Sequence, residues 1–384
     1  MSDSEIKAPS LDQLYSRHSS KWRRYPSDVL PMHVAEMDFQ IAQPVQDRLI
    51  KMVQDSDLGY LGPVPEVASA FAKFADARWA WKVDQSQVRL VTDVGVAVVE
   101  FLRAQGAHGS KVIINSPVYH GFWHWLDELE IAQVDVPLLA DYSLDIDGIE
   151  RQFAAGVKYV LLCNPQNPIG KAFTREELTA LAEAAKRHGA IIISDEIHAP
   201  LTYSDSTFVP FLTCGEAAEA VGVCITSSSK SWNLAGLKAA ITVTQSDVMN
   251  SAVSKMPEAA HWRSSILGAF AMAECFDNGT LWLDSTVATL DENRKFLKSE
   301  LERLLPTVNY QLPQASYLAW LDVSELGLGE ETAATLIRDA KVALVPGNEH
   351  GPQYTDFVRL NFGTSRENIT EGLSRIANFF AVSR

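Results

Sequence analysis

The sequence of 384 residues has few cysteines and no excess of positive charge. Its four cysteines, Cys163, Cys214, Cys224 and Cys275, lie far apart in the sequence, so their spacing indicates neither a zinc motif nor a disulfide framework. Acidic residues outnumber basic ones by 48 to 33, which gives a formal charge of −15. A charge of this sign argues against nucleic acid or an anionic membrane surface as a partner.

Long apolar runs are also missing. No run of about 18 apolar residues occurs, and this argues against a membrane-spanning helix. Residues 1–10 are polar and acidic rather than basic and then apolar, so we expect no secretory leader and a cytoplasmic location. With 47% hydrophobic and 21% charged residues, the composition is that of a globular protein with a large core.

Strand and helix patterns alternate through most of the chain. Strands are predicted at residues 88–92, 111–115, 133–136, 157–163, 190–194, 223–227 and 239–243. The short apolar runs 159–162 and 191–193 are typical of central strands that are buried on both faces. The helix at 176–188 is predicted to begin with a capping box, Thr174 and Glu177, and to end at Gly189. The pattern predicts an α/β fold with a mostly parallel sheet.

The last quarter of the chain has a different pattern. Helical patterns at 246–276 and 281–305 are followed by strands at 308–311, 317–321, 343–345 and 358–361 and helices at 330–339 and 366–381. We therefore expect three regions: an N-terminal arm (1–45) that joins the small domain, a large domain (46–285), and a small α+β domain (286–384).

Residues 227–238 contain a lysine in an unusual setting. Lys230 follows three serines, and a second cation, Lys238, stands eight residues later. A lysine that is buried or crowded by other charges has a lowered pKa and can form a Schiff base with an aldehyde. This makes Lys230 a candidate carrier of pyridoxal phosphate, and a solvated serine-rich turn is the alternative interpretation.

Two predicted buried strands end in polar groups. Residues 164–170 form a loop with two prolines, in which Asn167 can offer a fixed donor. Asp195 ends the next buried strand, where a carboxylate costs on the order of several kcal/mol to desolvate unless a cation meets it. A pyridinium N–H is such a cation. Ligands of doubly wound sheets bind outside the carboxyl ends of strands, which is where both groups fall.

Three further sequence features are weaker indications of a functional site. The turn at 93–97 lies between a strand and a helix, so its backbone N–H groups form a candidate anion site. Glu36 and Asp38 could be a catalytic pair or metal ligands, although no histidine pair or third acidic residue stands at ligand spacing. Tyr60 lies in a glycine and proline turn, where a tyrosine usually covers the surface.

Four motifs in order resemble the class I/II aminotransferase family of fold-type I pyridoxal-phosphate enzymes. They are Asn167-Pro168-Ile169-Gly170, Asp195-Glu196-Ile197-His198, residues 227–238, and residues 357–362. Residues 35–39 and 117–122, with a histidine three residues after the aspartate, are similar to the cystathionine β-lyase (C–S lyase) branch. That branch more often has aspartate where Glu36 stands.

The resemblance implies which residues bind the ring of the cofactor. Lys230 would form the Schiff base, and Asp195 would pair with the pyridine nitrogen. Asn167 would hydrogen-bond the phenolic oxygen with His198 nearby, and Tyr119 would stack on the ring.

The resemblance also implies which residues bind the phosphate and the substrate. The phosphate ligands would be the backbone N–H groups of Gly95 and Val96, Ser227, and Lys238, which stands where the family usually has arginine. Tyr60 would reach the phosphate of the neighbouring subunit, so a homodimer is expected. Arg359 would bind the substrate α-carboxylate, with Tyr119 and Glu36 also at the substrate.

The branch resemblance predicts a β-lyase that cleaves L-cystathionine or a related cysteine S-conjugate to a thiol such as homocysteine, pyruvate and ammonia. One alternative is an aminotransferase for an aromatic or bulky amino acid, favoured by Tyr119, Phe122, Trp123 and Tyr317. Another is a partner-binding protein that keeps the fold without turnover. The lysine, aspartate and arginine disfavour this last alternative, because buried charges without a use are costly.

Overall fold

The computed structural model describes residues 6–382. The strands are β1 (Leu30–Pro31), β2 (Val88–Val91), β3 (Lys111–Ile114), β4 (Ala132–Asp135), β5 (Tyr159–Cys163), β6 (Ile191–Asp195), β7 (Gly222–Thr226), β8 (Ala240–Val243), β9 (Asn309–Tyr310), β10 (Leu318–Asp322), β11 (Val342–Ala343), β12 (Val345–Pro346) and β13 (Phe357–Asn361).

The helices lie mostly between these strands. They are α1 (Leu11–Tyr15), α2 (Ser20–Arg23), α3 (Gln43–Gln54), α4 (Pro65–Trp79), α5 (Val94–Ala104), α6 (Gly121–Glu128), α7 (Ile146–Ala154), α8 (Arg175–His188), α9 (Glu216–Val221), α10 (Ser228–Ser231), α11 (Asp247–Val253), α12 (Ala259–Trp262), α13 (Ile266–Asn278), α14 (Thr280–Leu304), α15 (Thr332–Thr335) and α16 (Arg366–Val382).

The chain divides into two compact units. Unit 1 consists of Met1–Gln40, Asn167–Gly170 and Asp284–Arg384, and unit 2 consists of Ile41–Gln166 and Lys171–Leu283. Unit 1 contains the antiparallel sheet β12-β13-β10-β9 and the parallel pair β1-β11. The limits of the three predicted regions stay a prediction.

Unit 2 contains a sheet of seven strands in the order β2-β8-β7-β6-β5-β3-β4. Strand β8 is antiparallel to both of its neighbours, and the other pairs are parallel. In the register of the three central strands, Asp195 lies opposite Cys163 on one side and Ile225 on the other. The predicted α/β fold with a mostly parallel sheet of seven strands is confirmed.

The local sequence explains why these elements form. The central strands consist of apolar residues with almost no exposure, among them Val160, Leu161, Ile192 and Ile193. Helix α8 begins at the predicted capping box, in which the Glu177 N–H donates to Thr174 Oγ1 at 3.2 Å and the Thr174 N–H donates to Glu177 Oε2 at 2.8 Å. It ends at Gly189, which adopts a left-handed φ of 60°.

Three predictions about element boundaries were wrong. The pattern at 246–276 divides into α11, α12 and α13, because Pro257 has no N–H and Ser246 and Ser265 each cap a new helix. The strand at 343–345 divides into β11 and β12, which pair with different strands. The helix at 330–339 is replaced by α15 followed by a π-helix, Leu336–Ala340.

The segment Asn167–Gly170 belongs with unit 1 because Gly170 is bound there. Its carbonyl accepts the N–H groups of Gln314 and Ala315, each at 2.9 Å. Gly170 has a φ of +70°, and a Cβ atom on it would lie 2.4 Å from Pro313 Cβ and 2.6 Å from the Ala315 carbonyl oxygen. Only glycine fits this position without displacing its neighbours.

This close packing predicts a measurable loss of stability. We expect Gly170→Ala to lower the free energy of unfolding by about 1–3 kcal/mol more than Gly109→Ala, measured by urea unfolding. Gly109 is the matched control, because it has the same φ of +70° and nothing within 4 Å of its Cβ position. Equal losses in the two variants would contradict the argument from close packing.

Candidate active site

Asp195 is the last residue of β6 and is buried. Its Oδ1 atom accepts the Ile197 N–H at 3.1 Å. Burial raises the pKa of the carboxyl group to about 7, and the positive charge of Lys230 acts in the opposite direction. The end of β6 therefore holds a carboxyl group whose ionised form depends on a nearby cation.

Lys230 lies in the short helix α10, directly after β7. Ser227 caps this helix by accepting the Ser229 N–H at 3.0 Å, and its own hydroxyl donates to the Ala239 carbonyl at 2.6 Å. This second bond directs the Ser227 proton to the backbone and so opposes its predicted role as a phosphate donor. After Lys230 in the chain, the Trp232 side chain is fully buried, and its indole N–H donates to the Gly279 carbonyl at 3.0 Å. The turn that carries Lys230 is thus anchored at both ends.

The N-terminus of α5 carries backbone donors that its own helix does not use. The Asp93 side chain caps the helix by accepting the Val96 N–H at 2.8 Å, which opposes the predicted role of Val96 as a phosphate ligand. The N–H groups of Val94 and Gly95 stand in the first turn, where a helix supplies no acceptor. The sequence interpretation missed Val94, although Asp93 is a preferred N-cap residue and could have indicated where the helix begins.

Lys238 lies close to the same cap. Its Nζ atom is 3.1 Å from Asp93 Oδ2, and its side chain is 58% exposed. At Gly95, a Cβ atom would lie 2.6 Å from the Trp125 ring, so glycine is needed where this turn packs. The first turn of α5, Asp93 and Lys238 together form a polar cluster with one paired cation.

Tyr119 and His198 occupy loops that follow strands of the same sheet. The Tyr119 ring lies edge-on to Trp125 with a centroid distance of 5.7 Å. Gly121 leaves room for it, because a Cβ atom there would lie 2.4 Å from Tyr119 Cε1. His198 is 3% exposed and lies three residues after Asp195. Both side chains are therefore held in place by their surroundings within unit 2.

Arg359 and Asn167 lie together in unit 1. Arg359 is 2% exposed, and its guanidinium donates to Asn167 Oδ1 and to the His33 carbonyl, each at 3.1 Å. Because the Asn167 oxygen accepts from arginine, the amide nitrogen is the donor end of that side chain. Such an orientation is what a hydrogen bond to an anionic oxygen requires. Two of the predicted site residues thus determine each other's geometry.

The remaining candidates have different environments. Asp38 is buried, pairs with Lys21 at 2.9 Å and accepts from Trp22 Nε1 at 3.2 Å, so it is a structural ion pair. Among residues 6–382, no group of three or more His, Cys, Asp or Glu side chains could hold a metal.

Glu36 is half-buried and close enough to Tyr317 for its charge to act on that hydroxyl. Tyr60 is fully exposed.

The sequence of the whole chain can be compared with known proteins. The family model for aminotransferase class I and II matches residues 28–376. The chain belongs to this family. The family predicted from the sequence motifs is confirmed.

Relatives match this chain over nearly its full length. A Mycobacterium tuberculosis protein, provisionally named a cystathionine beta-lyase, is 37% identical, and the match covers 96% of each chain. The cystathionine beta-lyase of Corynebacterium glutamicum is 32% identical, over 97% of this chain and 100% of its own.

Solved structures give the same result. A crystal structure from Corynebacterium diphtheriae, provisionally named a pyridoxal-phosphate-dependent beta-cystathionase, has a TM-score of 0.94 and 31% identity. The match covers 98% of this chain and 99% of that chain. The fold-type I architecture predicted from the resemblance is confirmed.

In the part of the chain that the structure describes, every helix is too short or too polar to cross a membrane. The cytoplasmic location stays a prediction from the sequence.

The raised pKa of Asp195 predicts how stability depends on pH. The folded chain binds this proton more tightly than the unfolded chain, so the free energy of unfolding falls as the pH rises from 3.8 to about 7. In cofactor-free protein, we expect Asp195→Asn to be more stable than the wild type at pH 8, on the order of 2–4 kcal/mol. The gain should be smaller at pH 5. Urea unfolding at the two pH values measures both, and a gain that does not change with pH would contradict the assignment.

Proposed function

We propose that this protein is a pyridoxal-phosphate-dependent carbon–sulfur β-lyase. Its substrate is L-cystathionine or a related cysteine S-conjugate, and its products are a thiol such as homocysteine, pyruvate and ammonia. The observation that carries the proposal is the buried Asp195 carboxyl group within electrostatic range of Lys230. It occurs in a chain whose full-length relatives include a protein named cystathionine beta-lyase.

The residues of unit 2 fit pyridoxal phosphate. A pyridinium N–H would add a second cation, beside Lys230, at the buried Asp195, where desolvation has the largest effect on the pKa. The N–H groups of Val94 and Gly95 at the start of α5, with Lys238, would hold the phosphate. The Asp93 carboxylate already pairs with Lys238 at 3.1 Å, so phosphate would compete with it for this cation. When bound, pyridoxal phosphate supplies an electron sink for charge that develops at the substrate α-carbon.

The chain's own residues would perform the other steps. Arg359 would bind the α-carboxylate through its planar guanidinium, and Asn167 holds that guanidinium at 3.1 Å. Lys230 Nζ would remove the proton from the α-carbon. The bond between the β-carbon and sulfur then breaks, and sulfur takes the electron pair and leaves as a thiolate. Hydrolysis of the remaining three-carbon fragment gives pyruvate and ammonia.

The aminotransferase alternative loses part of its support. It depends on aromatic residues that could line a pocket for a bulky side chain. Phe122 and Tyr317 are both fully buried, and the Tyr317 hydroxyl donates to the Ala35 carbonyl at 2.8 Å. These two side chains therefore belong to the packed interior of their own units. Tyr119 and Trp123 are only partly buried and remain available for contact with a substrate.

A homodimer is part of the proposal. Tyr60 is fully exposed, and three apolar residues that precede it, Ile50, Val53 and Leu58, are each more than half exposed. Exposed apolar residues of this kind suit burial against a second subunit. In this arrangement Tyr60 would serve the phosphate of the neighbouring subunit.

The function is tested by incubating the purified holoenzyme with L-cystathionine. We expect pyruvate and free thiol in equal amounts without any added 2-oxo acid, because elimination needs no amino acceptor. The Lys230→Ala variant should lose both the products and the visible absorbance of the bound cofactor. Turnover only after a 2-oxo acid is added would favour the aminotransferase, and unchanged absorbance in Lys230→Ala would refute the role of this lysine.

The role of Tyr60 across a dimer is tested by mixing two impaired variants. Lys230→Ala and Tyr60→Ala are each expected to have little activity alone. A hybrid dimer of the two contains one site with both native residues, so unfolding and refolding the mixture should restore about a quarter of wild-type activity for random pairing. Each variant refolded separately is the control. If the mixture regains nothing while light scattering shows a dimer, Tyr60 does not act across the interface.

A further inference from the structure

Glu36 is a half-buried side chain in the segment 33–39 of unit 1. In this segment only Val34 and Glu36 are partly open to solvent, and the other side chains are buried. Within residues 6–382, the Glu36 carboxylate forms no hydrogen bond and no ion pair. A carboxylate that is partly removed from water without a donor costs free energy. Such a position suits a group that meets a positive charge on a ligand.

The backbone around Glu36 is fixed by two side chains of β13. Arg359 donates to the His33 carbonyl at 3.1 Å, and Asn361 donates to the Val34 carbonyl at 2.6 Å and to the Glu36 carbonyl at 2.7 Å. Because Arg359 and Asn361 are two residues apart on one strand, their side chains lie on the same face, about 7 Å from each other. Glu36 is therefore held beside the arginine that would bind the substrate α-carboxylate.

The cations near Glu36 leave its charge unpaired in the described part of the chain. Lys21 Nζ donates to the Glu36 carbonyl at 3.2 Å, but its charge is paired with Asp38 at 2.9 Å. Burial has the largest effect in raising the pKa of the Tyr317 hydroxyl, the charge of Glu36 raises it further, and the charge of Arg359 lowers it. One face of unit 1 thus carries a cation and an anion, which suits a ligand with a carboxylate and an ammonium.

We propose that Glu36 is a specificity-determining residue whose carboxylate binds the ammonium at the far end of L-cystathionine, an assignment that rests on the proposed lyase function. The path from the reacting α-carbon to this distal nitrogen has as many bonds as two residues of backbone, so it spans about 7 Å when extended. The spacing of Arg359 and Asn361 along β13 is the same. A substrate whose α-carboxylate is bound by Arg359 can therefore bring its distal ammonium to Glu36.

The same negative charge acts against substrates that end in a carboxylate alone. L-cystathionine has both an ammonium and a carboxylate at its far end, and only the ammonium can donate a hydrogen bond to Glu36. Removal of this ammonium gives S-(3-carboxypropyl)-L-cysteine, which has the same chain and presents only a negative charge. Repulsion between like charges adds to the discrimination. The two compounds form a matched pair that differs only in the group that Glu36 would bind.

The test measures kcat/KM for both compounds from the release of pyruvate by holoenzyme. We expect the wild type to prefer L-cystathionine at least about tenfold, because the other compound lacks the charged donor. Glu36→Gln keeps the size of the side chain and removes its charge, so kcat/KM should fall about tenfold for L-cystathionine and stay the same or rise for the analogue. A wild type without this preference, or equal losses for both compounds in Glu36→Gln, would overturn the proposal.

A second measurement does not depend on the reaction that follows binding. Stopped-flow absorbance of the bound cofactor, recorded before any pyruvate is released, gives the dissociation constant of each compound. We expect about tenfold tighter binding of L-cystathionine in the wild type and no difference in Glu36→Gln. Equal dissociation constants in the wild type would overturn the role of Glu36. A clear difference in binding without any release of pyruvate would overturn the lyase function and support the role of Glu36.

Discussion

The polar groups at the end of β6 depend on the cost of burying a carboxylate. Asp195 ends a strand in the middle of the seven-stranded sheet, where water cannot solvate its charge. Desolvation raises its pKa, and the hydrogen bond from the Ile197 N–H and nearby positive charge act in the opposite direction. The neighbouring lysine and the pyridine nitrogen of the proposed cofactor are sources of such charge. A group that destabilises the empty fold therefore becomes a source of binding energy for a cationic ring, which is a common relation between stability and function.

The fold limits the freedom of each group near this carboxyl. Trp232 lies edge-on to Phe74 and Phe276 at 5.6 and 5.4 Å, so the turn with Lys230 is attached to the aromatic core of unit 2. Asp93 fixes the first turn of α5 and also pairs with Lys238. In unit 1, the Asn167 oxygen is bound to the Arg359 guanidinium. Groups held in this way lose little conformational entropy when a ligand binds.

Much of the fold could be predicted because the apolar patterns are strong. The runs ending at Cys163 and Asp195 indicated central strands, and the motifs at their ends indicated the family. The details that could not be predicted depend on tertiary contacts. Whether the Val96 N–H is used by Asp93, and whether the Ser227 hydroxyl donates to Ala239, is decided by side-chain geometry rather than by spacing. The same holds for the division of residues 343–345 between two sheets, since each half follows a different partner strand.

The pairing of β1 with β11 has a consequence for the order in which the chain can fold during synthesis. Leu30 lies opposite Val342, so β1 can pair only after the much later strand β11 has left the ribosome. The β1 segment also meets β13, because the Asn361 N–H donates to the Met32 carbonyl at 2.9 Å. Contacts between such distant segments form slowly, since the long intervening chain must close first. Unit 1 can therefore be completed only after β13 has been translated, whereas strands β2 to β8 of unit 2 all precede β9 and can pair earlier.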